Sequence, residues 1–256
     1  MLELQKIETY YNEQEGFFKR NILREYLQYK ILEILFNSNS SSKLSFIGGT
    51  SLRIVHNLNR FSEDLDFDSF SLEKDEFIAL SEEIKKNLEL EGYNIEIKCV
   101  FKGAYRIYVR FLNVLYREGI SRRKEERLMI QVDSEPHHYI YRPDRFILNK
   151  FDVFTTILTA PPDVLLSMKI SALLNRKRTK ARDIYDILFL FGKTEPDYRY
   201  LSEKLGIDDR HILKKRIAEK LYGVDLKDLA KELSPFLIRK KDIERIELFD
   251  DFIRSL

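Results

Sequence analysis

The segment from Phe46 to Phe67, FIGGTSLRIVHNLNRFSEDLDF, changes its apolar period twice. A short apolar strand runs into Gly48-Gly49, a helical pattern follows through Asn57, and residues 62–67 then alternate polar and apolar as a half-buried strand does. Leu65 and Phe67 belong on one face of that strand, and Asp64 and Asp66 on the other. A chain built this way must pack a helix against a sheet and leave two carboxylates on one sheet face.

The remaining pattern extends this frame. Glu3 to Phe36 reads as one or two amphipathic helices, with Ile22, Leu23, Tyr26, Leu27, Ile31, Leu32 and Leu35 at helical spacing. A polar loop, Asn37–Ser42, separates them from a strand at Leu44–Ile47. Leu72–Leu90 reads as a helix stopped by Gly92, and Asn94–Phe101 with Ala104–Leu112 as a hairpin. Glu125–Asp133 is a further strand, with Leu128, Ile130 and Val132 inward and Met129, Gln131 and Asp133 outward. Pro136–Pro162 reads as an irregular or partly stranded crossover, placing the α/β core from Leu44 to about Phe151. Helices at Asp163–Asn175 and Ala181–Phe191 open a helical carboxy-terminal part. Strands followed by a run of helices give an α+β fold with three parts: N-terminal helices over 1–43, a core over 44–160 and a helical region over 161–256.

The chemistry follows from residue types. Backbone amides in the turn Gly48-Gly49 can approach a phosphate closely, and Thr50 or Ser51 can donate to it or serve as a plain helix N-cap. Two carboxylates on one face, Asp64 and Asp66, suit Mg²⁺ or Mn²⁺ bridging a protein to a nucleoside triphosphate. Together they point to nucleotidyl or phosphoryl transfer. Asp133 ends its strand on the outward face and is a third carboxylate for metal or base, unless it only caps the next turn. Lys169 lies beside the buried stripe of its helix, and Asp183 and Asp186 share a face of the next. They read either as triphosphate charge compensation or as an inter-helix salt bridge.

Lys and Arg total 44 against 42 Asp and Glu, so net charge does not itself select a nucleic acid, and local patches must. Arg176, Lys177, Arg178, Lys180 and Arg182 form one such patch between the two helices and suit an RNA acceptor, although a solvated loop has the same composition. Cys99 is the single cysteine, in a strand-like stretch, which excludes an intramolecular disulfide and suits a reducing compartment. No apolar run reaches the ~20 residues of a membrane span, so the expected setting is cytoplasmic and away from membranes. His137-His138 has no neighbouring ligand set, so no zinc site is expected.

The sequence Gly48-Gly-Thr-Ser-Leu-Arg53 with Arg60-Phe-Ser-Glu-Asp-Leu-Asp-Phe67 resembles the first motif of AbiEii/AbiGii-type nucleotidyltransferase toxins. Lys169 and Arg182-Asp-Ile-Tyr-Asp186 resemble that family's third and fourth motifs, in the same order, and the likeness covers about Leu44 to Phe191. The resemblance implies a polymerase-β-like nucleotidyltransferase fold and a toxin held in check by a cognate antitoxin. Some members transfer nucleotides from NTPs onto tRNA acceptor ends. It implies phosphate contacts at Gly48, Thr50 and Ser51, Mg²⁺ at Asp64 and Asp66, and a site completed by Lys169 with Asp183 or Asp186. Ser51 stands where the family commonly has a small apolar residue, and its second motif is variable, so Asp133 rests on strand geometry. The leading expectation is NMP transfer to RNA, foremost tRNA. Its alternatives are a protein or small-molecule hydroxyl as acceptor, or a non-catalytic nucleotide- or partner-binding module.

Overall fold

The structure is a computed structural model that describes residues 2–256. The chain divides into two compact units. The first comprises the chain to His56, Phe61–His138 and Pro143–Thr159; the second comprises Asn57–Arg60, Tyr139–Arg142 and Ala160–Leu256.

In the first unit, α1 (Leu4–Glu8), α2 (Glu13–Gly16) and α3 (Lys19–Phe36) precede β1 (Leu44–Ile47), α4 (Gly48–His56), β2 (Leu65–Ser69) and α5 (Lys74–Leu90). There follow β3 (Ile95–Lys102), β4 (Ala104–Phe111), α6 (Val114–Arg117), β5 (Leu128–Glu135), β6 (Asp144–Lys150) and β7 (Val153–Thr159). The strands form one mixed seven-stranded sheet in the order β3-β4-β5-β2-β1-β7-β6. β1 is antiparallel to β2 and parallel to β7, while β2 is parallel to β5. All four residues of β1 are buried, as a strand near the middle of a sheet requires. β5 alternates as its sequence indicates, with Leu128, Ile130 and Val132 buried beneath Met129, Gln131 and Asp133.

Two expectations are corrected. The stretch read as an irregular or partly stranded crossover holds β6 and β7, a regular antiparallel hairpin, and the sheet runs past Phe151 to Thr159. Its turn lacks the usual Gly or Asn-Gly signal because Phe151 itself adopts φ +60°. Aromatic packing holds it there: Phe151 meets Tyr10, Tyr26 and Tyr29 at centroid distances of 4.9, 5.2 and 5.1 Å. The second correction concerns α3, which is not a one-sided amphipathic helix. Arg24, Glu25, Gln28 and Lys30 are buried along with its apolar residues, because α1, α5 and β7 all pack on it.

Buried charge on α3 is therefore paired. Glu25 accepts from Arg53 Nε at 2.8 Å, Lys150 Nζ at 2.9 Å and the Tyr11 hydroxyl at 2.9 Å. Burial pushes the Glu25 carboxyl up, but Arg53 and Lys150 outweigh it and hold the group below the usual range.

The second unit is helical: α7 (Pro162–Asn175), α8 (Ala181–Phe191), α9 (Tyr198–Leu205), α10 (Arg210–Leu221), α11 (Leu226–Lys231), α12 (Glu244–Glu247) and α13 (Phe249–Ser255). Pro162 stands in the first turn of α7, where its missing N–H has no intrahelical acceptor to lose. α7 packs against α8 and α9, and Phe191 on α8 meets Phe252 on α13 edge-on at 5.5 Å.

Because its folded-state pKa is depressed, Glu25 contributes stability above its ordinary pKa of about 4.3 and loses it as pH falls through the folded value. Glu25→Gln should lower stability at pH 7 by about 3 kcal/mol, since Lys150 loses its carboxylate and Arg53 keeps Glu15 alone, and should flatten the acid limb. Urea denaturation from pH 3 to pH 8 measures both effects.

Candidate active site

At the end of β1 the chain turns through Gly48 with φ +78° and enters α4 at once, so the Gly-Gly pair is the first helical turn and not a separate loop. A Cβ at residue 48 would lie 2.1 Å from Asp66 Oδ2, so the Asp66 carboxylate packs directly against this glycine. The register explains the approach, because Ile47 pairs with Asp66 across β1 and β2. Glycine is required here both for its left-handed φ and for its missing side chain.

The neighbouring hydroxyls are hydrogen-bonded within the protein. Thr50 and Ser51 are fully buried. The Thr50 hydroxyl donates to the Asp64 carbonyl, tying α4 to the approach of β2. Ser51 shares a hydrogen bond of 3.0 Å with Thr159, whose hydroxyl donates to the Phe46 carbonyl at 2.8 Å. These side chains lock the segment together, and the first N–H groups of α4, as in any helix, have no intrahelical acceptor. Gly49 is buried within that first turn.

Asp64 and Asp66 are partly exposed while Leu65 and Phe67 are buried, so the alternation places both carboxylates on the same face. Asp133 joins that face, since Asp66 and Asp133 are register partners on the parallel strands β2 and β5. Its Oδ2 accepts from Gln131 Nε2 at 2.7 Å. Its Oδ1 lies 3.4 Å from Arg106 Nε, within ion-pairing range but without hydrogen-bond geometry. Asp68, two residues beyond Asp66, is buried and accepts from the His137 backbone amide at 2.8 Å, a structural role.

Among the described residues, no group of three His, Cys, Asp or Glu side chains is arranged to hold a metal ion. The residues nevertheless fit Mg²⁺, because that ion keeps several waters and is usually bound by one or two carboxylates together with substrate phosphates. Asp64 and Asp66 supply such a pair of hard oxygen donors, and the absent Cβ at Gly48 leaves the Asp66 carboxylate its space.

The later motif residues form an ion-pair group in the second unit. Lys169 Nζ is 2.8 Å from Asp186 Oδ2 and 3.9 Å from Asp183 Oδ1. Arg60 Nε and a terminal guanidinium nitrogen grip the two Asp186 oxygens at 2.7 and 2.6 Å. Arg176 Nε lies 2.9 Å from Asp183 Oδ2. Burial pushes the Asp186 carboxyl up, but Arg60 and then Lys169 outweigh it and hold it below the usual range. Asp186 has no exposed surface and Asp183 is 1% exposed, so their contacts are with these cations. Of the basic patch, Arg176 and Arg178 have acidic partners in Asp183 and Glu232, while Lys177 and Arg182 are exposed and Lys180 is half-buried.

Sequence reasoning did not single out Arg60, Arg106 or Gln131. Arg60 stands within a recognised motif, but its partner is 126 residues away. Arg106 and Gln131 carried a usable signal, because both lie on the outward side of alternating strands.

No described helix is long and apolar enough to cross a membrane. Comparison with curated proteins gives no match. Among solved structures, JHP933 from Helicobacter pylori is similar with a TM-score of 0.52 and 18% identity, over 92% of each chain. A candidate nucleotidyltransferase from H. pylori is similar with a TM-score of 0.50 and 18% identity, over 96% of each chain. At such identities the likeness establishes the fold. The family model described as nucleotidyl transferase AbiEii toxin of a type IV toxin–antitoxin system matches residues 30–252. With most of its length matched, and with the Gly48–Asp66 arrangement in place, the chain belongs to the AbiEii family of nucleotidyltransferase toxins.

Proposed function

We propose that this nucleotidyltransferase transfers an NMP group from an NTP to an RNA hydroxyl, with tRNA the foremost acceptor and arrested translation the consequence. The observation that carries the reading is the single-faced set Asp64, Asp66 and Asp133, with Asp66 seated on Gly48. Asp64 and Asp66 would hold Mg²⁺, or Mn²⁺ in its place, and the ion offsets negative charge on the triphosphate. The amides opening α4 face the phosphates with the positive end of the helix dipole. The acceptor oxygen bonds to the α-phosphorus, the bond from that phosphorus to the bridging oxygen breaks, and pyrophosphate leaves. Asp133 takes the acceptor's proton, and Gln131 and Arg106 fix the orientation of its carboxylate.

In the second unit, the buried contacts favour the salt-bridge reading of Lys169, Asp183 and Asp186. We assign these residues, with Arg60, the role of fixing α7 and α8 on the Asn57–Arg60 segment. A toxin of this kind acts in the cytoplasm and is restrained by a cognate antitoxin protein, as membership of a toxin–antitoxin family supports.

Incubation with total tRNA, Mg²⁺ and each α-labelled NTP tests the proposal. Asp64→Ala should reduce label transfer roughly 10³-fold or more and abolish growth inhibition while the circular dichroism spectrum is unchanged. A variant that labels tRNA as well as the parent would end the proposal. Gly48→Ala should lose transfer as well, since its Cβ must displace Asp66, and should destabilise the fold by about 1–3 kcal/mol for a left-handed alanine. Asp186→Ala strands Arg60 and Lys169 in a buried site and should cost about 3–5 kcal/mol in chemical denaturation. Asp186→Asn should be less acid-sensitive than the parent, whose Asp186 contribution is lost as pH falls through its lowered pKa.

A further inference from the structure

The part of the sheet formed by β3, β4 and β5 has one closed face and one open face. Ile107, Val109 and Ile130 are fully buried on the closed side, where α5 packs on β3 and β4. The open side carries Arg106, Tyr108 and Arg110 on β4, set between Lys98 on β3 and Gln131 on β5. On this side Met129 is 42% exposed, Lys98 is exposed and Tyr108 is half-buried.

This surface is continuous with the carboxylates. Arg106 pairs in register with Asp133, and Tyr108 pairs with Gln131, the residue that holds the Asp133 oxygen. Because strand side chains repeat every second residue, Arg106, Tyr108 and Arg110 stand in a row at intervals of about 7 Å. Charge on the face favours an anion. Lys98 is exposed, and Glu96 is shared between Arg110 at 3.9 Å and Arg127 at 2.8 Å, so one carboxylate faces two guanidinium groups. An aromatic ring set among cations on an open sheet is the chemistry that binds single-stranded nucleic acid, with bases stacked on the ring and phosphates on the cations. A paired duplex hides its base faces and would leave Tyr108 unused.

We propose that this face, centred on Tyr108, holds the single-stranded end of the RNA acceptor and leads its terminal ribose hydroxyl to Asp133. Lys98 and Arg110 carry the backbone phosphates, and Tyr108 stacks a base near the end. The inference rests on the RNA-acceptor reading given above. It places the acceptor on β3–β5 and not on the loop at residues 176–180, which has no aromatic side chain to stack a base.

The test is fluorescence anisotropy of a short single-stranded RNA labelled at its 5′ end, with binding of a fluorescent ATP analogue measured beside it. Tyr108→Ala should weaken RNA binding about tenfold or more, leave ATP-analogue binding unchanged, and be rescued by Tyr108→Phe, which keeps the ring. Lys98→Gln should reduce the dependence of log K on log salt by about 0.7, the effect of one phosphate contact on a single strand, while Tyr108→Ala leaves that slope unchanged. If both variants bind RNA like the parent while Lys177→Gln and Arg182→Gln lose it, the platform is wrong and the RNA reading stands. If the parent binds no RNA and labels a protein or small molecule instead, the RNA reading fails and takes this proposal with it.

Discussion

The contact between Gly48 and the Asp66 carboxylate couples the two halves of the site. The carboxylate occupies the space that a side chain at residue 48 would fill, and the glycine also supplies the φ of +78° that lets the chain pass from β1 straight into α4. One residue thus sets where the helix amides begin and how close the carboxylate comes to them. The antiparallel pairing of Ile47 with Asp66 keeps the two together, and the parallel pairing of Asp66 with Asp133 extends the arrangement to a third strand. The Thr50 bond to the Asp64 carbonyl and the Ser51–Thr159 bond hold the helix, β2 and β7 to this frame. Buried hydroxyls satisfied in this way rigidify a site without touching its ligand.

Charge is treated differently in the two units. In the first, α3 passes through the interior with Arg24, Glu25 and Lys30 buried, and each has an opposite charge within reach. In the second, Asp186 is gripped by Arg60 and Lys169. Such pairs add little over a well-packed apolar core, yet losing one partner is costly, so they define one arrangement of helices sharply. The carboxylates proposed to bind the metal differ in exposure. Asp64 and Asp66 are partly exposed on a sheet face, while Asp186 and Glu25 are buried.

Several of these features were legible in the sequence. Alternation assigned Asp64 and Asp66 to one face and Leu65 and Phe67 to the other, and put Asp133 outward on its strand, all as the structure has them. The β6–β7 hairpin was legible only as a partly stranded stretch. Its turn is made by Phe151, a residue that adopts a positive φ only because tyrosines from α3 and the N-terminal segment pack around it. Thr50 and Ser51 read in the sequence as phosphate donors or a helix N-cap; only packing shows their bonds to the Asp64 carbonyl and to Thr159. The amphipathic reading of α3 missed its buried polar residues because α1, α5 and β7 all pack on it.

The sequence by itself determined the sequence of periods, the faces on which side chains stand and the family to which they point. These are local properties, set by the two-residue repeat of a strand and the 3.6-residue repeat of a helix. The tertiary structure alone decided the register of Asp66 with Asp133, the seat of Asp66 on Gly48, the grip of Arg60 on Asp186 and the open face around Tyr108. Each joins segments far apart in the chain, and periodicity says which way a side chain points but not which distant partner packing will bring to meet it.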